Sequence, residues 1–110
     1  METTPRELRI YRTADGRFPF SEWLASLQDV KTRARIRVRL DRVGLGNFGD
    51  CHGVGEGVQE LRIDYGPGYR VYFGQPGSTI VLLLCGGEKS TQTKDIDLAK
   101  YYWNKCRRRA

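Results

Sequence analysis

The chain has 110 residues, a length that suits one domain with a real core and is too short for two. Lysine and arginine number 19 against 13 aspartate and glutamate residues, and the resulting charge of +6 favours a polyanion or a strongly acidic protein as partner. No stretch approaches the roughly 20 apolar residues of a membrane span, and the start of the chain lacks the apolar core of a signal peptide, so we expect a cytoplasmic protein without membrane contact.

The cysteines and the single histidine predict neither a disulfide framework nor a metal site. Cys51, Cys85 and Cys106 form an odd set without C-x-x-C spacing, and we expect reduced thiols. His52 stands beside Cys51, but neither has further ligands at metal spacing, so no metal or other cofactor is expected. His52 is then either an exposed loop residue or a phosphate contact.

A strand and a short helix are predicted first. Leu8 to Arg12 alternates between apolar and polar residues, as a strand does, and the Asp15-Gly16 pair predicts a turn after it. Pro19 is suited to the first turn of a helix. The apolar positions of that helix recur at i, i+3, i+4 and i+7 and are Phe20, Trp23, Leu24 and Leu27.

A second helix is predicted between Asp29 and Gly44. Asp29 is a suitable N-cap, Gly44 a suitable stop, and the apolar positions are Ile36, Leu40 and Val43. Residues 35–40 alternate and would also suit a strand, but the continued apolar pattern favours the helix. The polar side is rich in arginine and is either a solvated face or a surface for a partner.

A glycine-rich loop and three strands are predicted next. Leu45 to Gly57 lacks the spacing of a phosphate-cradling motif and is interpreted as a loop. Glu60 to Asp64 and Tyr69 to Phe73 alternate on either side of a Gly66-Pro67-Gly68 turn. The apolar run from Thr79 to Cys85 does not alternate, so we expect it inside the sheet with both faces covered.

The chain then closes with a helix. Gly86-Gly87 is predicted to end the third strand of the meander, and Ser90 or Thr91 to cap a last helix with the apolar residues Ile96, Ala99 and Trp103. One side of the meander remains polar. The side chains expected there are Glu60, Arg62, Arg70 and Tyr72.

Several blocks of the sequence resemble one family of bacterial toxins. The blocks are Arg33–Ile36, Arg39–Arg42, Gly46–Asp50, Gly53–Val58, Glu60–Phe73 and Leu84–Gln92. Together they are similar to the HigB-like "addiction module killer protein" toxins of the RelE/ParE superfamily, from about Arg9 to Trp103. The resemblance implies a single α+β domain over residues 1–110 with the RelE-like fold. In that fold a small antiparallel-rich sheet, made of the N-terminal strand and the meander, is packed by two N-terminal helices and a C-terminal helix.

The same resemblance implies the toxin of a type II toxin–antitoxin pair, neutralised by a small helix-turn-helix antitoxin. RelE-type members cut mRNA on the ribosome without a metal, by attack of the ribose 2′-OH on the adjacent phosphate. This chemistry needs a base, cations for the developing charge and an acid for the leaving oxygen. By resemblance, Arg70 is the phosphate-binding arginine and Lys89 a basic catalytic residue.

Two further residues of the polar side have alternative roles. Arg62 is either a second phosphate ligand or the ion-pair partner of Glu60. Glu60 is either the base or part of a structural ion pair, and a carboxylate between arginines should have a lowered pKa that makes it a weak base. Contacts to RNA are predicted for Arg33 and Arg37 of the second helix, for Tyr65 and Tyr72, and for His52.

One departure from the family pattern keeps a different function open. RelE-like enzymes often carry a tyrosine or histidine near the start of the last helix, where this chain has Thr91 to Asp95. ParE toxins share the fold, inhibit DNA gyrase and need no nuclease site. A third possibility is that the polar residues form only a structural ion-pair network in a protein that binds its antitoxin.

Overall fold

The computed structural model of the protein describes residues 4–109. Residues 1–3 and Ala110, which the single-domain prediction includes, lie outside the described residues. The strands are β1 (Glu7–Ile10), β2 (Cys51–Gly55), β3 (Val58–Ile63), β4 (Tyr69–Gly74) and β5 (Ile80–Glu88). The helices are α1 (Pro19–Ser26), α2 (Val30–Gly44) and α3 (Gln92–Arg109), and a single 3₁₀ turn (Lys89–Thr91) leads into α3.

The strands form one mixed sheet in the order β1-β5-β4-β3-β2. β1 runs parallel to β5, and the other neighbouring pairs are antiparallel. The expected α+β class, with the N-terminal strand beside the meander, two N-terminal helices and a C-terminal helix, is confirmed. The prediction that the apolar strand lies inside the sheet is also confirmed, because β5 lies between β1 and β4.

The helices begin where the sequence predicts. α1 starts at Pro19, and α2 is a helix rather than a strand. The Asp29 side chain accepts hydrogen bonds from the backbone N–H of Lys31 at 3.2 Å and from the Thr32 hydroxyl at 2.9 Å. The contact with Lys31 satisfies a backbone donor that a helix start leaves without a partner.

Alternation in β3 and β4 separates two cores on opposite faces of the sheet. On one face, α1 and α2 cover an apolar core that includes Phe20, Ile36, Leu61, Val71 and Phe73. On the other face, α3 covers a second core that includes Val58, Tyr72, Leu84, Ala99 and Trp103. Glu60, Arg62 and Arg70 alternate with the residues of the first core and therefore lie on the α3 side.

The predicted loop from Leu45 to Gly57 is wrong in part, because it contains β2. The β2–β3 connection is a two-residue hairpin in which Glu56 and Gly57 have φ values of 55° and 86°. Two successive positive φ values match the twist of a type I′ hairpin. The run of glycines hid this strand, which has only Val54 as a half-buried aliphatic side chain.

The predicted end of the third meander strand is also wrong. Gly86-Gly87 does not end β5, which continues to Glu88. The glycines are needed inside the strand, because a Cβ on Gly86 would overlap Trp23 and one on Gly87 would overlap Asp95. α3 starts at Gln92, directly after Thr91 as predicted, and a 3₁₀ turn that the sequence did not indicate precedes it, enclosed by a capping box of Glu88 and Thr91.

Candidate functional site

The carboxylate of Glu60 is the centre of a hydrogen-bonded cluster between β3, β4 and the start of α3. Glu60 is completely buried. Its Oε1 accepts a hydrogen bond from Arg62 Nε at 2.8 Å. Its Oε2 accepts from Gln92 Nε2 at 2.8 Å and from the Tyr72 hydroxyl at 3.1 Å, and Arg70 Nε lies 3.6 Å away. Both oxygens are therefore occupied by donors within the chain.

This environment keeps Glu60 ionised. Burial raises the pKa of Glu60, but the hydrogen bonds from Arg62, Gln92 and Tyr72 and the charge of Arg70 outweigh it, so that the pKa lies below its usual value. A buried carboxylate with a lowered pKa and two occupied oxygens is a poor proton acceptor. The geometry favours the ion-pair role of Glu60, which holds two arginines in place, over the role of base.

Arg70 is the buried cation of the cluster. Its side chain is 8% exposed, and Arg70 lies opposite Arg62 in the β3–β4 register. Within residues 4–109, Arg70 Nε and Nη1 are buried without a hydrogen-bond partner. Buried donors without a partner are costly, and two adjacent guanidinium groups repel each other. An anion such as a phosphate oxygen would relieve both penalties.

Arg62 and Arg70 line a cleft together with Lys89, and we call it the inner cleft. It has a volume of about 260 Å³. Lys89 follows β5 and is exposed, and its backbone N–H donates to the Gly68 carbonyl at 2.9 Å. The structure thus brings three of the predicted catalytic residues to one cleft and places the fourth, Glu60, in an ion-pair cluster with two of them, Arg62 and Arg70. The other residues of the inner cleft are Asp50, Ile63, Asp64, Gly68 and Tyr69.

A second cleft, the outer cleft, continues from the first along α2. Its volume is about 300 Å³. It shares Arg62 and Ile63 with the inner cleft, as well as both carboxylates, Asp50 and Asp64. Its remaining lining consists of Arg35, Val38, Arg39, Arg42 and Tyr65.

Arg39 fixes one wall of the outer cleft. Its Nη2 donates to the carbonyl of Phe48 and, at 3.2 Å, to that of Asp50. Gly49 lies between these carbonyls with a φ of 60°, and a Cβ there would be 2.9 Å from Arg39 Nη2. The glycine therefore allows the arginine to hold the segment that carries Asp50.

The predicted RNA-binding residues differ in their positions. Tyr65 lines the outer cleft, and the Arg35 guanidinium carbon lies 4.9 Å from its ring centroid. Tyr72 is completely buried, which makes its ring inaccessible to a base. The predicted RNA contact of Tyr72 is therefore wrong, and Tyr72 instead donates a hydrogen bond to Glu60. Burial, together with the charge of Glu60, raises the pKa of Tyr72, so that its hydroxyl stays a donor.

The structure does not bring Arg33 and Arg37 to either cleft. Arg33 Nη1 donates to the Leu27 carbonyl, and Arg37 is exposed. A helix turns by about 100° per residue, so these two positions lie on a different side of α2 from the arginines that line the outer cleft. The arginines that line the outer cleft are Arg35, Arg39 and Arg42. They were not predicted as RNA contacts, although their spacing of i, i+4 and i+7 was a usable signal.

His52 contacts a residue that lines the clefts and is not itself part of their lining. It is exposed, stands opposite Glu60 in the β2–β3 register, and has its Nε2 2.6 Å from Oδ1 of Asp50, which lines both clefts.

In the described part of the chain, no three His, Cys, Asp or Glu side chains are grouped as a metal site would need. Likewise, none of the helices described there is long and apolar enough to cross a membrane.

Comparison with known proteins finds a relative in Haemophilus influenzae. An uncharacterized protein of Haemophilus influenzae is 51% identical over 81 residues, which are 74% of this chain and 82% of that protein. No protein-family model matches the chain.

Proposed function

We propose that this chain, which belongs to the same family as the uncharacterized Haemophilus influenzae protein, is the toxin of a type II toxin–antitoxin pair. In this proposal the protein has the RelE-like fold, cleaves mRNA on the ribosome without a cofactor and is neutralised by a helix-turn-helix antitoxin. The observation that carries the proposal is the convergence of Arg62, Arg70 and Lys89 on the inner cleft, where buried donors of Arg70 lack a partner among residues 4–109.

The three cations suit the charge changes of phosphodiester cleavage by a ribose 2′-OH. As the 2′-oxygen gives up its proton to solvent water and bonds to phosphorus, negative charge grows on the two non-bridging oxygens. Arg62 and Arg70 neutralise this charge, since a guanidinium matches the spacing of two phosphate oxygens. Stabilisation of charge that grows in the transition state is usually the largest catalytic effect.

Cleavage ends with rupture of the bond from phosphorus to the 5′-oxygen. The products are a cyclic 2′,3′-phosphate and a 5′-hydroxyl. Lys89, exposed on the rim of the inner cleft, neutralises the leaving oxygen and donates a proton to it. Glu60 acts through Arg62 and Arg70, whose side chains it holds on one side of the sheet, and is a positioning residue.

Growth arrest and mRNA end mapping test the proposal. Induced expression of the wild type should stop growth and produce new 5′ ends within translated messages. Arg70→Ala should abolish the ends, whereas Arg37→Ala, which removes an exposed arginine of α2 outside both clefts, should preserve them. Arg70→Lys keeps the charge but loses the paired N–H donors of the guanidinium group, so it should give intermediate cleavage. It also serves as the control for misfolding of Arg70→Ala.

The same cultures test the ParE-like alternative. Inhibition of DNA gyrase would relax plasmid supercoils without producing mRNA ends. Arrest that is equally strong in wild type and Arg70→Ala, with relaxed plasmid and no new ends, would replace the nuclease by a gyrase inhibitor.

A further inference from the structure

We infer that the outer cleft binds the single-stranded RNA next to the phosphate held in the inner cleft, with one base stacked at Tyr65. The identity of the polymer as RNA rests on the proposed function. The binding groove itself rests on the charge, the continuity and the aromatic contact of the outer cleft.

The inner and outer clefts are continuous because they share one wall. Arg62, Ile63, Asp50 and Asp64 line both clefts, so a chain that places a phosphate at Arg70 can leave the inner cleft beside Arg62 and enter the outer one. A mononucleotide would not need this extension. A polynucleotide would need it, because the phosphate of its next nucleotide must also be accommodated.

Charge in the outer cleft suits a phosphate backbone. Arg62 and three arginines of α2 face two aspartates, so the lining carries net positive charge. Guanidinium groups bind phosphate oxygens as paired donors, and a series of them follows a single strand without reading its sequence. The arginines of α2 in this lining are Arg35, Arg39 and Arg42.

The contact between Arg35 and Tyr65 adds a feature that a simple basic patch lacks. The guanidinium carbon lies 4.9 Å from the ring centroid, and Val38, which is 51% exposed, lines the same cleft. A guanidinium plane and an aromatic ring both stack on unpaired bases, which an acidic peptide does not offer. Asp50 and Asp64 would repel the charges of either polyanion, but in RNA the ribose hydroxyls and base amino groups can donate hydrogen bonds to them.

Equilibrium binding of a fluorescent single-stranded RNA heptamer to the purified protein tests the inference. Tyr65→Ala should weaken binding about tenfold, because stacking on an aromatic side chain is worth that much for one base. Tyr101→Ala removes an exposed ring of α3 outside the groove and should leave binding unchanged. Tyr65→Phe keeps the stack, and its wild-type binding would show that lost folding does not explain the effect of Tyr65→Ala.

Salt dependence gives a second readout from a matched pair of arginines. Arg35→Ala should lower the slope of log affinity against log salt by about 0.7, the value for one lost contact to a single strand. Arg37→Ala removes the same charge from the same helix and should leave the slope at the wild-type value. Equal slopes in the two variants would overturn the inference.

Competition decides the class of the ligand. Unlabelled RNA should displace the probe, whereas hepta-glutamate of similar charge should not; displacement by the peptide at equal concentration would overturn the inference in favour of an acidic protein partner. These measurements use no ribosome and no cleavage. Failure of the Arg70→Ala growth test would therefore remove the nuclease and leave an RNA-binding groove, whereas equal binding by all variants would remove the groove and leave the nuclease.

Discussion

The two faces of the sheet bury their side chains by different means. Under α1 and α2 the contact is apolar, with Ile36, Leu61 and Phe73 among the residues of one core. Under α3 an apolar core around Trp103 is followed, near the first turn of the helix, by the ionised Glu60 and its arginines. Buried ion pairs contribute little net stability. The apolar contact under α1 and α2 therefore maintains the fold, whereas the polar cluster near the start of α3 contributes less to stability and holds Arg62 and Arg70 at the inner cleft.

Truncation on the apolar face should have the largest effect on stability. Phe73 is 1% exposed and its ring centroid lies 5.8 Å from that of Phe48. Phe73→Ala should lower the free energy of unfolding by about 3–5 kcal/mol, since it removes buried apolar surface and leaves a cavity. Urea unfolding measures this loss. Phe18→Ala, at an exposed ring, is the control and should change stability by about 0.5 kcal/mol or less.

Neutralising Glu60 on the other face should cost less. Glu60→Gln keeps the shape of the side chain but removes the charge that holds Arg62 and Arg70. Its amide N–H group would also face a hydrogen-bond donor where the carboxylate offered an acceptor. We expect a loss of about 1–3 kcal/mol in the free energy of unfolding, the cost of leaving buried hydrogen-bonding groups without suitable partners. A loss larger than that of Phe73→Ala would mean that the polar cluster, not the apolar core, dominates the fold.

Acid should weaken the polar cluster selectively. The pKa of Glu60 is lower in the folded protein than in the unfolded chain, so its contribution to stability is complete above the unfolded pKa of about 4.3 and is lost as pH falls through the folded pKa. Urea midpoints of the wild type should therefore decline on acidification below that value. Glu60→Gln should show a smaller decline. Part of the decline should persist in the variant, because Asp29, whose pKa is lowered by its hydrogen bond from Thr32, is still present.

The sequence predicted the parts of the fold in which one periodicity dominates. The spacing of Phe20 and Trp23 gave α1, and Asp29 with Ile36 and Leu40 gave α2 despite the local alternation of residues 35–40. The prediction from the sequence failed where glycine is required by packing rather than by a turn. Gly86 and Gly87 are usual strand terminators, but here they accommodate Trp23 and Asp95 on opposite faces of β5.

The candidate site was predictable only in its central residues. Arg62 and Arg70 could be paired because they occupy the same side of adjacent strands. The outer cleft was predictable only in part: spacing places Arg35, Arg39 and Arg42 on one side of α2, but the packing of α2 on the sheet decides whether that side or the side with Arg37 faces β3. Burial of Tyr72 likewise depends on where α3 starts, and the role of Gln92 as a partner of Glu60 depends on the same packing.

Single-turnover cleavage of mRNA on programmed ribosomes tests most directly the claim that the inner cleft is catalytic. Wild type and Arg37→Ala should cleave at equal rates, and Arg70→Ala should be slower by about 10²- to 10³-fold, as when a donor to a developing oxyanion is removed. Circular dichroism and urea unfolding should find Arg70→Ala folded under the assay conditions. Cleavage by folded Arg70→Ala at the wild-type rate would contradict the assignment of the inner cleft as the catalytic site.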